Sequence, residues 1–207
     1  MRINISLNEV ESAAKKAARG AGFDWGVAEE AGRAARWLCS NGLGGCGHIS
    51  GYLDSEPCFP PDGLQGVWTS DRGDLCPLLS GAALSDLAVL LQGQAIEMRA
   101  VSHPVILLPF AAWASLTLNQ PMTLCVGELE VVTNGVSVSM AALELPKKSD
   151  VRVVLGGELS QPLAQYSRAE PRPENWKRLN ALAHKTYAPA TEESRLLGAG
   201  AGLSDND

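Results

Sequence analysis

The sequence has few aromatic and few charged residues for its length. Of its 207 residues, 5% are Phe, Trp or Tyr and 19% are charged, whereas 45% are hydrophobic. This hydrophobic fraction excludes an intrinsically disordered chain. The shortage of large rings and the 21 glycines predict a core of small side chains in which backbone segments approach one another closely.

The chain also lacks basic runs and long apolar runs. Its formal net charge is −6 and its 17 Lys and Arg residues are scattered, which argues against nucleic acid and anionic membrane surfaces as partners. The longest apolar run, Val105–Leu118, is interrupted by Pro109 and is shorter than the about 20 residues that cross a bilayer. We therefore expect neither nucleic-acid binding nor a membrane span.

The five cysteines are odd in number and do not show the spacing of a metal site. More than four residues separate each of Cys39, Cys46, Cys58 and Cys76 from the next, whereas zinc ligands are usually two to four residues apart. We expect no metal site, even with His48 in the same segment, and no motif identifies a cofactor. Reduced thiols and the absence of a signal-peptide pattern predict a cytoplasmic protein.

Residue patterns predict one α+β domain over residues 1–207. Residues 1–42 are predicted to form a helical hairpin, and residues 43–77, rich in Gly and Pro, a long loop that serves as a lid or an interface. Residues 78–160 are predicted to hold a helix and a mostly antiparallel sheet, because consecutive strands follow one another without helices between them. Residues 161–207 are predicted to hold C-terminal helices and a glycine-rich tail.

Local motifs support this division of the chain. Ser6-Leu7-Asn8-Glu9 is a capping box that starts the first helix, and Leu84–Leu91 has the spacing of a helix. Val105–Leu108 is predicted to continue the sheet, and Pro109–Leu118 to form a helix that opens on proline. Asn134-Gly135, between two alternating runs, is a strong signal for a β-hairpin.

Two glycine-rich segments, one after the first helix and one near the C-terminus, predict a binding site for a small anionic molecule. Glycine exposes backbone N–H groups at close range, an arginine clamps a carboxylate or phosphate, and a tyrosine donates a hydrogen bond. The alternative is structural, because glycine also ends helices and permits close packing of the C-terminal segment. The candidate residues are Arg19, Gly20, Gly22, Tyr187, Arg195, Gly198, Gly200 and Gly202.

Three further residues are candidates for catalysis. His103 and His48 suit acid/base chemistry, because histidine titrates near neutral pH, and Cys46 with either histidine nearby would suit nucleophilic catalysis. The alternatives are a hydrogen-bonded core histidine and an inert buried thiol. His103 precedes Pro104, which predicts an extended backbone at the histidine.

Two stretches resemble a known family. They are Lys16–Gly26 with Glu29–Gly32, and Thr186–Gly202, and they resemble a bacterial, mostly proteobacterial, family catalogued only as a domain of unknown function. That resemblance implies no activity. The segment Gly45–Gly51 is similar to the start of the non-Rossmann malate/L-lactate dehydrogenase family, which has a Ser-His pair and an Asp in this neighbourhood. Here the histidine precedes the serine.

Three classes of function follow from these observations. The first is a protein that binds a small anionic metabolite, including a non-catalytic subunit of a metabolic enzyme. The second is an enzyme that acts on a small organic acid with a histidine as acid and base. The third is an interaction protein that docks through its C-terminal tail. Alanine-rich helix faces allow packing within one subunit or, in a homo-oligomer or a complex with a partner subunit, between two.

Overall fold

The predicted helical hairpin is present in the computed structural model, which describes residues 3–187. Helix α1 spans Leu7–Gly20 and helix α2 spans Trp25–Ser40. The Ser6 hydroxyl accepts a hydrogen bond from the Glu9 N–H, and the Glu9 carboxylate accepts one from the Ser6 N–H, which confirms the capping box. The two helices pack along alanine-rich faces.

The central sheet has six strands in the order β2-β3-β7-β4-β5-β6. Every pairing is antiparallel except that of β2 with β3, so the α+β prediction is confirmed. The strands are β2 Val67–Trp68, β3 Ile96–Ser102, β4 Met122–Val126, β5 Leu129–Thr133, β6 Val138–Met140 and β7 Lys148–Leu155. Two short strands form a separate antiparallel pair, β1 Ile5–Ser6 with β8 Arg168–Ala169.

The predicted hairpin turn is also present. Between β5 and β6, the Asn134 N–H donates to the Ser137 carbonyl at 3.3 Å. The Asn134 side-chain oxygen in turn accepts from the N–H groups of Val136 and Ser137. Gly135 has a φ of +95°, a conformation that glycine adopts without the steric cost of a Cβ.

Three further helices lie between residues 77 and 184. They are α4 Pro77–Asp86, α5 Leu108–Leu118 and α6 Pro173–His184. Helix α5 is apolar on nearly every side because it lies in the middle of the molecule, against β4 and β5 on one side and α2 and α4 on the other. The buried side chains form one connected hydrophobic cluster. Within residues 3–187, no helix combines the length and the apolar character that crossing a membrane requires.

The prediction of a long loop over residues 43–77 is wrong in one important part. Helix α3 spans Gly45–Leu53 within it. Three glycines in nine residues give this segment a low helix propensity, but tertiary packing compensates because Ile49 and Tyr52 are buried. Helix α4 begins at the last residue of the same segment, Pro77.

Two boundaries predicted from apolar periodicity are also wrong. The helix predicted over Leu84–Leu91 is instead the end of α4 followed by a 3₁₀ segment, Ala88–Gln92. Val105–Leu108 does not continue the sheet, because a 3₁₀ segment, Pro104–Leu107, leads into α5. Val105–Leu108 is buried throughout, so its apolar residues do not report a strand face. In the first stretch, Val89 and Leu90 are exposed, because the chain leaves the α-helical path there.

Close approach of two helix backbones explains the glycine at the end of α1, Gly20. A Cβ on Gly20 would lie 2.0 Å from the Leu182 carbonyl oxygen of α6. The C-terminal helix therefore occupies the space beside Gly20, which is the structural alternative stated above for this glycine. Gly26 differs, because a Cβ there would meet nothing within 4 Å.

We predict that Gly20→Ala destabilises the protein and that Gly26→Ala does not. The added methyl group at residue 20 must push α1 and α6 apart, at a cost of about 1–3 kcal/mol in the free energy of unfolding. The same change at residue 26 adds helix propensity without a clash and should be neutral or stabilising by up to about 1 kcal/mol. Urea unfolding of both variants measures this, and equal stabilities would contradict the role assigned to Gly20.

Candidate functional site

A large groove lies between α3 and α6. Its volume is about 1570 Å³. One wall comes from α3 and the loop before it, another from residues 143–147, and a third from residues 165–172 with the start of α6. His48 and His103 both line it, and we call it the histidine groove.

The position of α3 depends on two glycines at its start. Gly44 has a φ of +62° and turns the chain back toward α2. Gly45 then packs on the last turns of α2, where a Cβ would lie 2.2 Å from the Ala35 carbonyl oxygen. No side chain caps the helix. Because Gly45 touches α2, the first residues of α3 lie against α2 and along the groove.

The two histidines are half-buried and influence one another. Burial lowers the pKa of His48 from its usual value, although the Glu144 carboxylate acts in the opposite direction. Burial also lowers the pKa of His103, and the neighbouring His48 and Lys147 add to that effect. Both imidazoles are therefore neutral near pH 7, when each carries one N–H donor and one acceptor nitrogen.

The backbone at His103 is not extended, which corrects the expectation drawn from Pro104. Its φ of 46° and ψ of 61° lie in the left-handed region, which costs energy for a residue other than glycine. The His103 N–H donates to the Lys147 carbonyl at 2.7 Å, and this bond helps to hold the conformation. The imidazole Nδ1 lies 2.9 Å from the Ser102 hydroxyl, and the ring meets Tyr52 edge-on with centroids 5.8 Å apart.

Four cations and three carboxylates line the histidine groove. Arg178 pairs with Asp54 at 2.9 Å, and Arg168 donates to the Asn4 carbonyl at 3.1 Å. Lys147 and Arg172 have no carboxylate within 4.0 Å among residues 3–187. Arg168 makes no ion pair either, so within residues 3–187 the groove presents three cations without a carboxylate partner, in a chain whose net charge is negative.

A smaller depression of about 300 Å³ lies on the solvent-facing side of the sheet. Its cations are already paired, because Arg99 lies 2.7 Å from Asp150 and Arg152 lies 3.6 Å from Glu97. This network of charged side chains is typical of a solvated sheet face.

The structure brings the three catalytic candidates together. His48, His103 and Cys46 all line the histidine groove, although they lie on α3 and at the end of β3. Nothing in the sequence pattern indicated that these segments meet. Their catalytic roles stay predictions.

Four of the residues predicted to bind an anion lie in the described part of the chain, and all four lie outside the histidine groove. The Arg19 guanidinium donates to the Phe23 carbonyl at 3.0 Å and lies over the Trp25 ring. Gly22 has a φ of +106° in the turn, and the exposed Tyr187 hydroxyl accepts from Lys16 at 3.3 Å. These contacts stabilise the helix junction. The remaining candidates, Arg195, Gly198, Gly200 and Gly202, lie outside the described residues, so the site predicted there stays a prediction.

Cys39 was not among the predicted site residues, because its spacing from the other cysteines argued only against a metal site. The Cys39 and Cys46 sulfur atoms are 3.9 Å apart, and both residues line the groove. A hydrogen bond from the Cys46 thiol lowers the pKa of Cys39, and the N–H groups of Cys46 and Gly45 add to this against the effect of burial. The pKa of Cys46, the predicted nucleophile, is raised instead. Cys39 therefore forms a thiolate more readily than Cys46.

A second pair of thiols lies behind α3. The Tyr52 hydroxyl is 2.9 Å from the Cys76 sulfur and 3.2 Å from the Cys58 sulfur. Hydrogen bonds from Cys58 and Tyr52 outweigh burial and lower the pKa of Cys76 to about 7. Neither cysteine lines the histidine groove. In the part of the chain that the structure describes, no group of three or more His, Cys, Asp or Glu is placed to hold a metal ion.

Comparison with known proteins matches part of the chain to a family without an assigned activity. A family described as a protein of unknown function, DUF3726, matches residues 5–95. This agrees with the resemblance to a domain of unknown function. A search of curated proteins and a search of solved structures found no match. Residues 5–95 include α3 and its half of the histidine groove but not His103.

We predict that the free energy of unfolding decreases as the pH falls from about 7 to 5. Both histidines have a lowered pKa in the folded protein, so the unfolded chain binds more protons in this range and its population rises as the pH falls. Urea unfolding at several pH values measures the slope. The variant His48→Asn/His103→Asn should reduce that slope, and an unchanged slope would show that these side chains are not its source.

Proposed function

We propose that the histidine groove binds a small organic or phosphorylated anion. The observation that supports this most strongly is a set of three cations that make no ion pair within residues 3–187, beside two half-buried neutral histidines; these cations are Lys147, Arg168 and Arg172. Neighbouring carboxylates already neutralise the cations on the sheet face. The groove therefore favours a negatively charged ligand more than any other concave surface described here.

The histidines suit the polar part of such a ligand. A neutral imidazole donates one hydrogen bond and accepts another, so His48 and His103 match hydroxyl or carbonyl groups next to the charged end. Arg172 offers a planar fork of donors that fits a carboxylate or phosphate. The groove is also wide enough for a small metabolite, because pockets for such ligands usually occupy about 300–1,000 Å³.

We predict that Lys147→Ala/Arg172→Ala weakens binding of an anionic probe by at least about tenfold, which is the effect of losing a single charged hydrogen bond. Inorganic phosphate and succinate, at constant ionic strength, serve as probes, and the increase in melting temperature measures binding. Lys177→Ala is the matched control, since Lys177 lies on α6 outside the groove lining.

The control variant should respond to the probes as the parent does. Equal responses of the parent and the double variant would contradict the proposal. An equal loss of response in Lys177→Ala would show that only net charge matters.

A second candidate is an enzyme that moves a proton on a small organic acid, with His103 as the base. The left-handed backbone of His103 and its contact with Ser102 support it, because strained and oriented residues concentrate at functional sites. A neutral imidazole at pH 7 is ready to accept a proton. His48 in the same groove is then the partner that returns the proton. The similarity of Gly45–Gly51 to the malate/L-lactate dehydrogenase family points to the same substrate class, and it stays a prediction.

We predict that the parent chain exchanges a carbon-bound proton of a small oxo acid or hydroxy acid in deuterated water. Proton NMR of a panel of such acids follows the loss of the C–H signal. His103→Asn should abolish the exchange, whereas Lys147→Ala should raise the ligand concentration required. If every acid in the panel keeps its C–H signal in the presence of the parent protein, the enzyme hypothesis is wrong and the binding hypothesis stands.

Further proposals concern cellular location and assembly. We propose a cytoplasmic location, because the five cysteines are free thiols and thiols persist in a reducing compartment. We also keep the proposal of an interaction role for the C-terminal tail, in a homo-oligomer or with a partner subunit. That segment lies outside the described residues.

A further inference from the structure

A pair of thiols lies at the junction of α2 and α3. Cys39 is in the last turn of α2 and Cys46 is in the first turn of α3. Their sulfur atoms are 3.9 Å apart, which is near van der Waals contact, and a disulfide requires them to approach to about 2.05 Å. Both residues border the open histidine groove.

The surroundings favour a reactive sulfur at Cys39. The Cys46 sulfur lies 3.9 Å from the Cys39 sulfur, and Cys46 belongs to the first turn of α3, the positive end of that helix. The Cys46 thiol and the nearby N–H groups of Cys46 and Gly45 lower the pKa of Cys39. Such donors stabilise a thiolate, which is the form of cysteine that attacks an oxidant. Cys39 also has an exposed fraction of 8% compared with 1% for Cys46, so an oxidant in the groove reaches Cys39 first.

We propose that Cys39 and Cys46 form a reversible peroxide-sensitive pair that oxidises to an intramolecular disulfide. This site is independent of the anion proposed above.

The reaction requires a hydroperoxide and proceeds in two steps. The Cys39 thiolate attacks one peroxide oxygen, so that an S–O bond forms, the O–O bond breaks and an alcohol or water leaves with a proton. Cys39 is then a sulfenic acid, oxidised by two electrons, and the peroxide is reduced. The Cys46 sulfur attacks the Cys39 sulfur, the S–S bond forms, and the hydroxyl leaves as water with the Cys46 proton. A dithiol such as dithiothreitol reverses the oxidation by exchange.

The geometry of the chain permits the two thiols to close this bond. The loop between them contains Gly42 and Gly44, both with positive φ, and a Cβ on Gly44 would meet nothing within 4 Å. Gly44 therefore has free space around it, whereas a Cβ on Gly42 would lie 2.9 Å from the Tyr166 ring. Gly45, in contrast, is fixed on α2 by its contact with Ala35, which keeps the two cysteines adjacent.

The test treats the full chain with a small molar excess of hydrogen peroxide and maps the disulfides by mass spectrometry. Trypsin leaves Cys39, Cys46 and Cys58 on one peptide, because no Lys or Arg lies between Arg36 and Arg72. Chymotrypsin is therefore used, since cleavage after aromatic residues and leucine separates the three cysteines. We expect loss of two of the five thiols, a linked pair of peptides that carry Cys39 and Cys46, and full recovery with dithiothreitol.

Variants identify which sulfur reacts first. In Cys46→Ser the sulfenic acid has no partner and should be trapped at residue 39 by dimedone. In Cys39→Ser the fast phase of thiol loss should disappear, whereas Cys125→Ser, on the sheet, should behave as the parent. A disulfide between Cys58 and Cys76, only intermolecular disulfides, or five intact thiols after peroxide treatment would each overturn the proposal. Disulfide mapping uses the parent chain, so poor folding of a variant does not affect that result. No anion is added, so the result also does not depend on whether the groove binds one.

Discussion

The structure depends on helix backbones that touch one another at glycines. Gly32 of α2 lies against the Glu11 carbonyl of α1, Gly20 of α1 against the Leu182 carbonyl of α6, and Gly45 of α3 against the Ala35 carbonyl of α2. At each position a Cβ would lie within 2.7 Å of a carbonyl oxygen, so no other residue fits without movement of a helix. These contacts join the four helices into one layer and replace the large side chains that the sequence lacks.

The same contacts build the candidate site. Because α3 is pressed onto α2, Cys46 in its first turn lies against Cys39, and His48 lines the groove with His103. The opposite wall comes from segments that follow the sheet, including Lys147. The groove is thus an interface between the helical layer and the connections of the sheet, which is a common position for ligand sites. Its chemistry combines neutral histidines with cations that have no ion-pair partner in the described part of the chain, and the helix junction adds the proposed reactive thiol.

Features with a strong local signal were predictable from the sequence. The capping box at Ser6, the alanine-rich hairpin and the turn at Asn134 each depend on residues close together in the chain. Helix α3 was not predictable, because its glycines lower its intrinsic propensity and the packing that compensates is provided by residues of α2. The groove brings His48 and His103 together through contacts between distant segments. For Cys39, the signal that was missed is its position just before a turn with two successive glycines, Gly44 and Gly45.

The central claim is that the histidine groove binds an anion next to its two imidazoles. The most direct test follows the ring signals of the three histidines by NMR while inorganic phosphate is added at constant pH and ionic strength. The account predicts that the signals of His48 and His103 shift with one shared saturation curve, while His184 on α6 does not respond. Unchanged signals from His48 and His103, or equal shifts at all three histidines, would contradict it.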